Sequence, residues 1–138
     1  MKASTVFGIY RVTCYICALV NVALAWICFA SIGQAEAINQ SLPESMRELA
    51  PDWYIRIVFI AIGVVGVFFA VLNAYVPSGP RNPKWWVAHL INLILIAGSC
   101  LLTIPAIVVF LNWFRPDVRA MFGFAPSSPP PPEGAQRP

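Results

Sequence analysis

Three long apolar stretches dominate the pattern of polar and apolar positions along the chain. A helix needs roughly 20 apolar residues to cross the hydrocarbon core of a bilayer, and each stretch exceeds that length. The pattern therefore predicts an all-α integral membrane protein with three transmembrane helices, at 12–32, 57–76 and 87–112. The stretches without Asp, Glu, Lys or Arg are 12–35, 57–80 and 85–114.

The segments outside the spans differ in character. Ser41 followed by Glu44 is a capping-box pattern, which predicts a short amphipathic interfacial helix in the first loop. A second interfacial helix is expected after the third span, with Gly123 at its end. Pro105 predicts a kink inside that span. The remaining divisions are a stub at 1–11, the loop 33–56, a turn at 77–86, the interfacial segment 113–124 and a disordered Pro-rich tail at 125–138.

Each predicted span carries small and polar residues on one face. Helices in lipid associate through close packing and interhelical hydrogen bonds, so these faces should form a bundle. Asn21, Asn73 and Asn92 occur once per helix, and an unpaired amide in hydrocarbon is costly. We expect the three to meet in a hydrogen-bonded clasp, with a polar pocket for a substrate or quinone headgroup as the alternative. The further packing positions are Gly63, Gly66, Ser99 and Thr103.

Aromatic residues at the ends of the spans suggest two interfacial belts. Trp53 and Trp113 are expected at one boundary, and Trp85 and Trp86 at the other. Under this layout Lys and Arg are almost evenly divided between the two sides. The side with the N-terminus has no acidic residue, which favours a cytoplasmic N-terminus and a C-terminus outside.

Composition excludes several classes of function. Hydrophobic residues make up 59% of the 138 residues and charged residues 11%, whereas soluble domains carry about 25% charged residues. The net charge is +3, but the basic residues are scattered and form no nucleic-acid-binding stripe. No phosphate loop, catalytic triad or paired-carboxylate motif occurs. We therefore expect a protein that is not an enzyme.

Three residues could hold a cofactor. Cys14 and Cys17 form a C-x-x-C pattern, and His89, the only histidine, is expected at a similar depth. Together they could supply metal ligands or a redox-active dithiol. His89 could also ligate haem or a pigment. The favoured interpretation is that the cysteines are small packing residues and that the histidine forms a hydrogen bond. No cofactor is therefore favoured.

Three functions are compatible with these features. The first is a non-catalytic accessory or structural subunit of a larger membrane complex, with the lipid bilayer and other subunits or itself as partners. The second is a small oligomeric transporter or channel that uses the asparagines, although no span contains the charged residue typical of solute pathways. The third is an electron-transfer protein built on His89.

Overall fold

The computed structural model describes residues 1–98 and 102–124, and all regular structure in those residues is helical. This confirms the expected all-helical class for the described part of the chain. Two 3-10 turns, Ile32–Gln34 and Val76–Ser78, follow the two longest helices. The α-helices described are α1 (Ala3–Ser31), α2 (Ala35–Ser41), α3 (Glu44–Arg47), α4 (Asp52–Tyr75), α5 (Pro83–Gly98), α6 (Thr103–Trp113) and α7 (Pro116–Ala120).

The two longest helices, α1 and α4, pack antiparallel and form the most extensive helix contact. Gly66 lies so close to α1 that an added Cβ would be 3.2 Å from the backbone oxygen of Asn21. A Cβ on Gly63 would be 2.8 Å from the ring of Phe29. Gly66 therefore allows the two helix backbones to approach closely, as small residues do between helices, and Gly63 leaves room for the ring of Phe29.

The expected N-terminal stub is helical instead. Helix α1 begins at Ala3, nine residues before the predicted start. Val6, Phe7 and Tyr10 share one face at helical spacing and are buried in the main hydrophobic core. The prediction was wrong because the charge of Arg11 marked the end of the apolar stretch, whereas core packing extends the helix past Arg11 to Ala3.

The predicted third spanning helix at 87–112 is wrong as a single element. Its residues form α5 and α6, which run antiparallel. The ring of Trp86 near the start of α5 lies 5.7 Å from that of Phe114, directly after α6. In one continuous helix these residues would be about 42 Å apart at 1.5 Å per residue. The chain after α6 therefore returns to the end of the molecule where α1 begins, and not to the opposite end.

Pro105 does not kink a helix but lies at the third position of α6. The first turn of a helix has no acceptors for its N–H groups, so a proline costs little there. The hydroxyl of Thr103, the first residue of α6, donates to the backbone oxygen of Ala97 in α5 at 3.2 Å and ties the two helices together. The expected packing residue Ser99 lies outside the described residues.

The segment 113–124 is not an interfacial layer on the far side. Val118 and Phe122, on the apolar side of the α7 segment, are fully buried in the same core as Phe7. The rings of Phe7 and Phe122 lie 5.9 Å apart. The segment does end as expected, because Gly123 adopts a positive φ of 80°. The tail at 125–138 lies outside the described residues.

The first connection differs from the predicted interfacial helix. Ser41 ends α2, and its hydroxyl donates to the backbone oxygen of Ile38 at 2.6 Å, so no capping box forms with Glu44. Helix α3 is a single turn. Asn39 donates to the carboxylate of Asp52 at 2.6 Å, which fastens α2 to the beginning of α4.

Replacing Gly66 with leucine should destabilise the protein by about 1–3 kcal/mol, because the side chain would overpack the α1–α4 contact. Gly8→Leu is the matched control, since no atom lies within 4 Å of a Cβ at that position of α1. Detergent unfolding followed by circular dichroism measures both. Equal unfolding midpoints for the two variants would contradict the close approach at Gly66.

Candidate functional site

A buried polar cluster joins α1 to α5 at the end of the molecule where α1 begins. The hydroxyl of Tyr10 lies 3.1 Å from Nδ1 of His89. Asn92, one helical turn after His89, donates from Nδ2 to the same hydroxyl at 3.3 Å and to the sulfur of Cys14 at 3.4 Å. Tyr10 and Cys14 are themselves one turn apart on α1. The four side chains therefore connect two helices that are distant in sequence.

Aromatic rings enclose this cluster on the side of His89. The imidazole is fully buried, and five ring centroids lie between 5.4 and 6.2 Å from its own. Edge-to-face and tilted contacts of this kind add to the stabilisation that burial provides. The surrounding residues are Phe7, Tyr10, Trp85, Trp113 and Phe122.

Three polar atoms of this region are buried without a hydrogen-bond partner in the described part of the chain: Nε2 of His89, Oδ1 of Asn92 and Nε1 of Trp113. A buried polar atom without a partner costs about 1–3 kcal/mol. The burial of the surrounding rings must offset that cost. The cluster is therefore held in place chiefly by apolar packing, while its hydrogen bonds fix the register of α1 against α5.

The three asparagines do not form the expected clasp. Asn92 bonds to Tyr10 and Cys14, whereas Asn21 donates to the backbone oxygen of Cys17 at 2.8 Å. Asn73 likewise donates to Phe69 at 2.8 Å, within its own helix. The prediction was wrong because the carbonyl four residues earlier in the same helix lies within reach of an asparagine side chain.

Two of the asparagines instead line a small cavity of about 250 Å³ between α1, α4 and α5. Asn73 is almost fully buried, and its Oδ1 has no hydrogen-bond partner. The walls are otherwise mostly apolar. The lining residues are Cys17, Asn21, Phe69, Asn73, Leu95, Ile96 and Gly98.

The suggested metal site at Cys14, Cys17 and His89 is not assembled. Among the described residues, no group of three or more His, Cys, Asp or Glu side chains is arranged to hold a metal ion. Cys17 accepts a contact from Asn21 at 3.4 Å, and Cys14 one from Asn92. An axial haem or pigment ligand needs an open side at its nitrogen, whereas Nε2 of His89 is buried among the rings.

The tryptophans expected as interfacial anchors divide unevenly. Trp53 is well exposed at the beginning of α4, while Trp85 and Trp86 are partly buried at the opposite end. Trp113 was assigned to the wrong boundary. It is fully buried, with its ring 5.1 Å from that of Tyr10. It is a core residue and not an anchor.

Sequence reasoning missed Tyr10, which is the centre of the cluster. A signal was present, because Phe7, Tyr10 and Cys14 continue the helical spacing of the first span into the supposed stub.

Comparison with known proteins finds no matching family model, no similar curated protein and no similar solved structure.

Removing the Tyr10 hydroxyl by Tyr10→Phe should destabilise the fold by about 1–3 kcal/mol, because Asn92 and His89 lose a shared partner in a buried site. Tyr75→Phe is the control, since that side chain is 65% exposed. Unfolding midpoints in detergent give the comparison. If both variants unfold like the unmodified chain, the hydrogen bonds of the Tyr10 hydroxyl contribute no net stability.

Proposed function

We propose that this chain is an integral membrane protein with two spanning helices and a helical hairpin that enters the bilayer without crossing it. The observation that carries this proposal is the exposure of its most apolar helices. Ala3–Ser41 and Asp52–Ser78 contain windows of mean hydropathy 2.2 and 2.8, yet only 22% and 17% of those windows are buried. Large exposed apolar surfaces typify contact with lipid or another protein.

The lengths of the helices support this layout. Helix α1 has 29 residues and α4 has 24, so both exceed the roughly 20 residues that a crossing requires. Helices α5 and α6 have 16 and 11 residues. Folded back on each other, they reach into the bilayer and return to the side from which they entered.

The hairpin also changes the charge balance between the two sides. Among the described residues, Arg47 and Arg56 are the only basic residues at the end that contains the first connection. The positive-inside rule therefore places the opposite, more basic end in the cytoplasm. This keeps the expected cytoplasmic N-terminus but moves Phe124 to the same side. The basic residues described at that end are Lys2, Arg11, Arg81, Lys84, Arg115 and Arg119.

Cysteine labelling in whole cells tests this topology. In a chain without native cysteines, a membrane-impermeant maleimide should label Glu48→Cys in intact cells. Lys2→Cys and Arg119→Cys should react only after the cells are made permeable. Labelling of both Arg119→Cys and Glu48→Cys in intact cells would indicate three spans. Equal labelling of all three variants in a soluble fraction would contradict the proposed membrane location.

Within the membrane, we propose the role of a non-catalytic accessory or structural subunit of a larger complex. The buried polar groups support this role. Tyr10, Asn92 and Cys14 form hydrogen bonds with one another and hold α1 against α5. The charged side chains of the described residues lie at the two ends of the molecule and not between the helices. The apolar outer faces of α1 and α4 are available to lipid and to partner subunits.

Native mass spectrometry of the protein, extracted from its own membrane in mild detergent, tests this role. We expect the 15.2 kDa chain to be bound to unrelated subunits. Assemblies that contain only copies of this chain would contradict the accessory role. They would favour the second candidate, a small oligomeric transporter, for which the cavity beside Asn21 and Asn73 provides a specific polar location.

A further inference from the structure

An open basic cleft lies at the end of the molecule where α1 begins. Its volume is about 480 Å³, and both sides of it carry an arginine. Arg11 comes from α1, and Arg81 comes from the connection between α4 and α5. The cleft is lined by Phe7, Arg11, Pro77, Ser78, Gly79, Pro80 and Arg81.

Contacts within the chain bring these two distant segments together. The hydroxyls of Tyr15 on α1 and Ser78 in the connection lie 3.2 Å apart. Arg81 rests with its guanidinium carbon 4.6 Å from the centre of the Phe7 ring. Arg11 donates to the hydroxyl of Tyr15 at 3.2 Å. These contacts restrict both side chains before any ligand arrives, which lowers the entropic cost of binding.

The cleft has two positive charges and no negative charge. Within the described part of the chain, neither Arg11 nor Arg81 has a carboxylate within salt-bridge distance, whereas Arg115 is paired with Asp117 at 3.0 Å. Two cations beside the same cleft repel each other, and an anion between them relieves that repulsion. Each guanidinium also carries five N–H donors, the type of group that binds the oxygens of such an anion.

The position along the helices indicates the source of the anion. Arg11 directly precedes the uncharged stretch at 12–35, and Arg81 directly follows the one at 57–80. Both guanidiniums therefore lie where an apolar span meets the polar layer of a bilayer. In that layer the abundant anionic groups are the phosphates of lipid headgroups, and basic pockets between spanning helices bind such headgroups.

We infer that the cleft between Arg11 and Arg81 binds the phosphate of a net-anionic phospholipid headgroup. The two guanidiniums donate hydrogen bonds to the phosphate oxygens, and the acyl chains lie along the exposed apolar faces of α1 and α4. The inference rests on the proposed membrane location. It goes further by assigning a specific lipid site to one cleft and to one side of the membrane.

The test measures phosphatidylglycerol bound to the full-length protein in detergent by native mass spectrometry. The double variant Arg11→Gln with Arg81→Gln should bind at least about tenfold more weakly than the unmodified chain. Lys2→Gln with Lys84→Gln is the matched control, because it removes the same charge at the same end but outside the cleft. That control should change the affinity less than about twofold. Circular dichroism verifies that both double variants are folded.

Further measurements distinguish specific lipid binding in the cleft from non-specific charge attraction and from the binding of a free anion. Arg11→Lys with Arg81→Lys retains the charge but loses the fork geometry, so its affinity should fall between those of the other two variants. Equal weakening in the glutamine variants of the arginine and lysine pairs would overturn the inference. So would displacement of the lipid by millimolar inorganic phosphate, which would indicate a free-anion site, or equal binding of zwitterionic phosphatidylcholine. The cysteine-labelling result stands apart from all of these, so a failed lipid site and a failed membrane location remain distinguishable.

Discussion

The packing of aromatic rings around Tyr10 and His89 is the interaction on which the rest of the structure depends. It joins the first turns of α1, the first half of α5, the end of α6 and the α7 segment in one core. Trp113 and Phe122 contribute large buried side chains to this core and help to hold α6 antiparallel to α5, together with the hydrogen bond from Thr103 to Ala97. Apolar burial holds these segments together, and the hydrogen bonds of Tyr10 fix the register of α1 against α5.

The direction of α6 determines the charge balance on which the proposed topology rests. Because α6 folds back, Arg115 and Arg119 lie at the same end as Lys2 and Arg11, and the charge balance that the sequence left undecided becomes strongly asymmetric. The same end carries the cleft between Arg11 and Arg81. The cleft is lined by α1 and by the connection between α4 and α5, so it does not depend on the direction of α6. The proposed topology does depend on it, and the two proposals are tested by separate measurements.

Much of the helical framework could be predicted from the pattern of residues. The predicted span at 57–76 ends within one residue of α4, although the helix begins five residues earlier, at Asp52. Gly63 and Gly66 were assigned to packing positions, and the structure places both against α1. Gly123 was expected at the end of the last helix and has the positive φ that such an end requires. These features depend on local sequence, where the spacing of side chains and the freedom of glycine act directly.

The largest errors concern contacts between distant segments. Asn92 was expected to meet Asn21 and Asn73, but Tyr10 and Cys14, about 80 positions away, are its partners. Trp113 was placed at the wrong end because hydropathy does not distinguish a continuous apolar helix from two short ones folded together. The sequence by itself determined which segments are helical and which of them are apolar. Only the tertiary structure decided the direction of α6, because that choice depends on rings from four helical segments packing together, and the burial of each ring is defined only when the others are present.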